Sequence, residues 1–229
     1  MSSVDPSPAA HPVLWDMALI HRIFRTSFAE IAALVPEVEP MDTPQVQAVS
    51  MHLSFMLDGL SAHHGTEDDL VWPVLHERAR PSTALVERME EQHAGIHHEL
   101  EEVRRRGASW SDRPSPESAG ELAAAITDLL KELAAHLDEE ERDVVPLIAA
   151  NLSEEEWATV GRTAFDKFTP QQRFIALGQM LEVATPAEAS AMLATLPGPV
   201  KILWALLGKR RYRRYIAAFR APSGAGVRQ

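Results

Sequence analysis

Two eleven-residue stretches carry the side chains that bind metal ions, at matched spacing. One is His63-His64-Gly65-Thr66-Glu67-Asp68-Asp69-Leu70-Val71-Trp72-Pro73. The other is His136-Leu137-Asp138-Glu139-Glu140-Glu141-Arg142-Asp143-Val144-Val145-Pro146. Both read His-x3-Glu-x5-Pro. A lone histidine precedes each at nearly the same distance, His21 lying 42 residues before His63 and His93 lying 43 before His136. Residues four apart on a helix share a face, so one helix can aim an imidazole and a carboxylate at one cation. Two such helices and two single-histidine helices, all facing inward, would make a metal site in a bundle core. Isolated histidines on apolar faces are ordinary core residues. Chance does not account for four histidines, two glutamates and two prolines repeating in register.

The donor set limits the metal. The chain has no cysteine, which excludes thiolate sites, disulfides and thiol catalysis. Histidine and carboxylate ligands suit iron, manganese or zinc. Two His–Glu pairs related by a pseudo-twofold suggest two metals, with Glu67 and Glu140 bridging them. A pair of dications would also offset the cost of burying two carboxylates.

The elements that must position these groups read as helices. Hydrophobic residues make up 45% of the chain and aromatics only 6%, and the abundance of Ala, Leu and Glu favours helix over sheet. Apolar residues recur at helical spacing over 13–35, 44–73 with a kink at Pro73, 82–106 and 117–150. Residues 107–116 read as a polar loop. Some 14 residues separate His21 from the end of its helix, and about 19 separate the start of the next helix from His63. The counts around His93 and His136 nearly match. At about 1.5 Å per residue, up-down connections bring all the ligands to one layer. The expected fold is all-α, an up-down four-helix bundle with additional C-terminal helices.

The expected organisation is a loose tail over 1–12, a metal-binding bundle over 13–150, a helical extension over 151–222 packing on the bundle, and a loose end over 223–229. Short helices are expected at 153–167, 170–183 and 186–195, from the Ser153/Glu156 capping box and the Thr-Pro starts at 169 and 185. The net charge is −11, with eight Lys/Arg and no Asp/Glu after residue 196, leaving 14 basic against 33 acidic residues before it. The basic end reads best as a helix docking its apolar face on the acidic bundle. An interfacial membrane anchor is a second reading; nucleic acid, which the acidic remainder disfavours, is not expected as a partner. Residues 1–12 have neither the cationic start nor the apolar run of a signal peptide. No stretch approaches a transmembrane span. A cytoplasmic location is expected, and the oligomeric state is not specified.

These residues resemble the hemerythrin-like HHE cation-binding domain, over about residues 11–150. The resemblance implies a four-helix bundle holding a non-haem di-iron centre of two Fe ions, oxo- or hydroxo-bridged. His21 is similar to the single ligand of the first helix, His63 and Glu67 to the pair of the second, His93 to the third-helix ligand, and His136 to the fourth-helix histidine with Glu140 beside it. His97 would complete the His-x3-His of oxygen-carrying members. Those members use His-x4-Asp on the fourth helix, whereas this chain has Glu140 and Glu141. The repeat aligns Glu140 with Glu67 and so favours it. His97 aligns with Arg25, which weakens the parallel there. His64 and His98 point about 100° away from their neighbours and read as surface or outer groups. The resemblance implies a small molecule as partner: O2 for binding or sensing, or peroxide or NO for detoxification. The alternatives are an oxygenase or peroxidase acting on an organic substrate, or an iron or redox sensor signalling through its C-terminal helices. No catalytic residue is assigned.

Overall fold

The computed structural model describes residues 12–222, apart from the side chains of Val13 and Leu14. The tails expected at 1–12 and 223–229 lie outside the described residues except for Pro12. Among the described residues there is no strand. Four long helices carry the bundle: α1 (Val13–Leu34), α2 (Thr43–Leu70), α4 (Thr83–Asp112) and α5 (Pro116–Glu139). The short α3 (Trp72–Arg78) and α6 (Val145–Asn151) extend the second and fourth helices. Helix α1 packs on α2 and α5, and α4 packs on the same two, closing a ring.

The prolines of the repeat determine where the long helices are interrupted. Proline lacks an N–H and crowds the carbonyl four residues earlier. Pro73 thereby frees the Asp69 carbonyl, and α2 ends at Leu70 with a break at Val71. Pro146 frees the Arg142 carbonyl, and residues Glu140–Val144 widen into a π turn between α5 and α6. Such bulges are frequent at functional sites.

Helix α5 shows how the stripe and the site are one pattern. Its buried positions are Ala119, Leu122, Ile126, Leu129, Leu133, His136 and Leu137, and the run continues through Glu140 and Val144. His136 and Glu140 therefore occupy core positions of the helix. Apolar clusters flank that polar layer. One, with Phe28, Leu60, Ile96, Leu100 and Leu129, fills one end of the bundle. The other, with Trp72, Leu75, Met89, Val144 and Ile148, fills the opposite end.

The third long helix does not stop at Arg106. It runs through Gly107 to Asp112, where a loop was expected. A Cβ on Gly107 would come within 2.9 Å of the Leu53 side chain, so glycine lets α4 approach α2 there. Trp110, one turn further on, is fully buried, and that packing outweighs glycine's low helix propensity.

Beyond the bundle lie α7 (Glu154–Asp166), α8 (Pro170–Val183) and α9 (Pro186–Thr195). Ser153, Thr169 and Thr185 each cap the helix that follows through a capping box. Helix α10 (Gly198–Leu203) passes through a second π turn, Trp204–Gly208, into α11 (Lys209–Phe219). Helix α7 lies on α2, α8 on α1, and α11 on both α2 and α8. Arg22 pairs with Glu188 at 2.8 Å, and Arg220 bridges Glu30 and Glu182. Phe219 is fully buried, whereas Ile202 and Leu206 stand exposed.

His52 couples this extension to the bundle. Its Nδ1 lies 2.7 Å from the Tyr215 hydroxyl, and its ring lies 4.1 Å from that of Phe219. Burial pushes its pKa down to about 4. The folded state therefore binds fewer protons than the unfolded chain between about pH 6.5 and 4. Stability is complete above that window and falls as pH drops through it, by on the order of 3 kcal/mol for this group. Denaturant unfolding at pH 7 and pH 4.5 checks this: the loss on acidification should be on the order of 2 kcal/mol smaller in His52→Gln than in the parent.

Candidate metal centre

Four helices deliver imidazoles and carboxylates to one buried layer. His21 comes from α1, His63, His64 and Glu67 from α2, His93 from α4, and His136 from α5, with Glu140 from the π turn. His63 is half-buried; the others are buried. Nε2 of His21 lies 3.2 Å from Nε2 of His63 and 3.3 Å from Glu140 Oε2. Glu67 Oε1 is 3.5 Å from His63 Nε2, and its Oε2 is 3.7 Å from His93 Nε2. Glu140 Oε2 is also 3.6 Å from His136 Nε2. Donors bound to one ion at about 2.1 Å lie about 3 Å apart, so these separations are close to those of a coordination sphere.

The layer has two lobes. His21, His63 and Glu140 form one grouping, and His64, His93 and His136 form another. Glu67 groups with His63 and His64, one histidine from each lobe, and so lies between them. Glu67 turns one oxygen toward each lobe, and Glu140 reaches His21 on one side and His136 on the other. Each glutamate thus meets the histidine four residues before it and the lone histidine of the other half of the repeat.

Hydrogen bonds on the outer side orient the rings. His21 Nδ1 donates to Glu141 at 2.9 Å, His93 Nδ1 to Asp68 at 2.7 Å, and His136 Nδ1 to the Gln92 side-chain oxygen at 2.9 Å. With Nδ1 carrying the proton, Nε2 turns its lone pair to the centre. Metal-ligating histidines are held in this way. Asp68 and Glu141 are the residues directly after Glu67 and Glu140, so the repeat extends to the outer partners. Trp72 donates to Asp68, and Arg25 lies 3.6 Å from Glu141, fixing those acids in turn.

The electrostatics call for a cation. All four carboxylate oxygens of Glu67 and Glu140 are buried without a hydrogen-bond partner, as is Nε2 of His64, His93 and His136. Buried polar groups are almost always paired. Burial pushes the Glu67 carboxyl well above the usual carboxylate range, and the facing Glu140 pushes it further. Burial opposes charge on Glu140 as well. The closeness of His21, with the fields of His136 and His63, outweighs it and holds that carboxyl below the usual range. Burial lowers His63 and His64, and the neighbouring imidazoles add to the effect. Burial lowers His21 too, but its contacts with Glu140 and Glu141 outweigh this and raise it. The uncharged form favoured at His63 and His64 is the one in which histidine ligates a metal.

Of the seven expected ligands, the structure brings together His21, His63, Glu67, His93, His136 and Glu140. It does not bring His97. The buried stripe of α4 runs 89, 93, 96, 100 and 103, and His97 lies on its flank, exposed. His64 takes a place in the second lobe instead, with its ring stacked on His93 at 4.0 Å. The 100° step from His63 to His64 does not leave the site, because α2 sits between α1 and α4. His63 faces the first of these and His64 the second. Two adjacent histidines on a helix with neighbours on both sides were the signal for this. Glu141 holds His21 from outside, at Nδ1, so Glu140 is the acid that faces the centre. His98 is exposed, His76 lies 3.3 Å from Glu90, and His11 falls outside the described residues.

Two substitutions separate stability from binding at this layer. Glu67→Gln removes a buried, unpartnered carboxylate. It should stabilise the metal-free protein by about 1–3 kcal/mol while weakening divalent-metal binding, read by thermal melts with and without metal. Asp68→Asn leaves every inward donor in place. It should weaken metal affinity about 10- to 100-fold, the usual effect of losing an outer partner, as measured by competition with a chelator.

No curated protein and no solved structure matches this chain. A family model, the hemerythrin HHE cation binding domain, matches residues 14–148. That span is more than half of the chain and takes in every donor of the two lobes. Four helices converging histidines and glutamates on a buried layer are what a cation-binding bundle requires, and the chain belongs to the hemerythrin HHE cation-binding domain family.

Proposed function

We propose that the layer holds two irons and that the protein binds or senses O2, or removes peroxide or NO. The observation that carries this reading is the pair of buried carboxylates, Glu67 and Glu140, with all four oxygens unpartnered between two groups of imidazoles. In this reading His21 and His63 hold one ion, and His93, His136 and His64 hold the other. Glu67 and Glu140 bridge. When bound, an iron pair would supply reversible electron exchange with a small oxidant. The chain supplies the rest. Glu141, Asp68 and Gln92 keep three imidazoles in the tautomer that binds metal. The apolar clusters on either side of the layer, with Trp72 and Leu60 fully buried among them, limit the approach of water and protons.

His64 stands in this reading where His97 was expected. The exposed His97 has no geometric route to the layer, whereas His64 lies within 4.8 Å of both His93 and His136, donor to donor. Among the described residues no helix is long and apolar enough to cross a membrane.

Metal analysis of the iron-loaded protein, with optical spectra of the reduced form before and after O2, tests the reading. Two irons per chain and a spectral change with O2 are expected. Zinc alone, or less than one metal per chain after iron loading, overturns it. His64→Ala should lower loading toward one iron per chain, and His97→Ala should leave it unchanged; the reverse pattern would return His97 to the ligand set.

A further inference from the structure

A cavity of about 350 Å³ lies between the bundle and the extension. Its floor is at the proposed centre, where His63, Thr66 and Glu67 line it. Its bundle wall is aromatic and aliphatic, with Leu19, Ile23, Phe24, Phe55 and Met56. Its outer wall comes from beyond the span the family model matches, mainly from α7 and the turn after it.

The outer wall is built to leave space. Helix α7 presents Trp157, Ala158, Gly161, Ala164 and Phe165 on one face, at the three- and four-residue spacing that shares a side. The small members sit between the aromatic ones. A Cβ on Gly161 would meet nothing within 4 Å, and one on Gly59, across the cavity on α2, would touch Phe24 and Phe168 only at ordinary contact distance. Neither glycine is required by close packing. Ala158 and Gly161 are solvent-accessible, so the cavity is open to the outside rather than a closed void.

We propose that this cavity is a binding site for an uncharged, largely apolar organic molecule, one end of which meets the His63–Glu67 edge of the metal layer. The volume falls within the usual range for small-molecule sites. Among the described residues no Lys or Arg lines it, and its ionisable lining groups are His63 and the acids Asp16 and Glu67. An anion would find no counter-charge in the walls. A cation would meet the acids only by giving up its water to an otherwise apolar chamber. The bundle and the extension both line the cavity, so the extension shares in determining what reaches the centre. Binding in the cavity does not depend on the two-iron reading; only the identity of what the molecule meets at the floor does.

Fluorescence titration of the full chain, metal-free and iron-loaded, with the uncharged probe N-phenyl-1-naphthylamine tests this. Trp15 and Trp157 line the cavity and give a second signal. Saturable binding of one probe per chain is expected, displaced by 1-decanol at least tenfold more effectively than by decanoate. Gly59→Leu and Gly161→Phe fill the cavity from opposite walls without touching a proposed ligand. Each should weaken probe binding at least tenfold while helix content and iron content match the parent. If one variant fails to fold, the other decides. No saturable binding, equal displacement by decanoate, or full binding in a folded variant overturns the proposal. Probe binding by a protein that takes up no iron retains the cavity site and rejects the two-iron reading.

Discussion

The structure depends on two carboxylates, Glu67 and Glu140, placed face to face at the centre of a bundle with no hydrogen-bond donor from the protein to their oxygens. Glu67 is a liability for folding: burial disfavours its charge, and Glu140 disfavours it again. Burial opposes charge on Glu140 as well, and the nearby His21 outweighs it. A chain organised for stability alone would carry leucine at these positions, as it does one or two turns earlier at Leu60 and Leu133. The apolar clusters above and below the layer offset the liability. They account for why the long helices have to be long: each must bury hydrophobic residues on both sides of a polar plane.

Around that plane the protein builds outward in steps. Nε2 atoms face the centre, Nδ1 atoms face Asp68, Glu141 and Gln92, and those groups are held by Trp72, Arg25 and the residues around Glu139. The two interruptions in the long helices belong to the same construction. Beside Pro146 the π turn widens the helix so that the consecutive Glu140 and Glu141 both address the site, one from within and one from outside. Beside Pro73, Trp72 lies four residues after Asp68 and donates to it across one helical turn.

Much of this was legible because an α-helix converts spacing into direction. His-x3-Glu places two donors on one face whatever surrounds them, and the repeat brought four helices to one level. What spacing could not convey was the environment of each face. His64 was read as turning away, and a turn of 100° carries it to the other neighbour of α2 and into the second lobe. His97 satisfied a familiar motif, yet the stripe of α4 leaves it in solvent. Gly107 looked like the start of a loop until Trp110 required a buried place one turn on. The capping box marked 153–167 only as a short helix, and its three-dimensional placement shows that Ala158, Gly161 and Ala164 line the cavity.

The crossed pairing of glutamates and lone histidines ties the architecture together. Glu67 reaches across to His93, and Glu140 reaches back to His21. Asp68 and Glu141 repeat the crossing one layer out, on the same two imidazoles. Neither half of the repeat is self-sufficient: each helix pair holds a glutamate with one histidine partner on its own helix and one on the other pair. The bundle is in this sense an internal dimer whose monomers cannot separate without each surrendering part of its partner's donor set, so site and scaffold open or close as a unit.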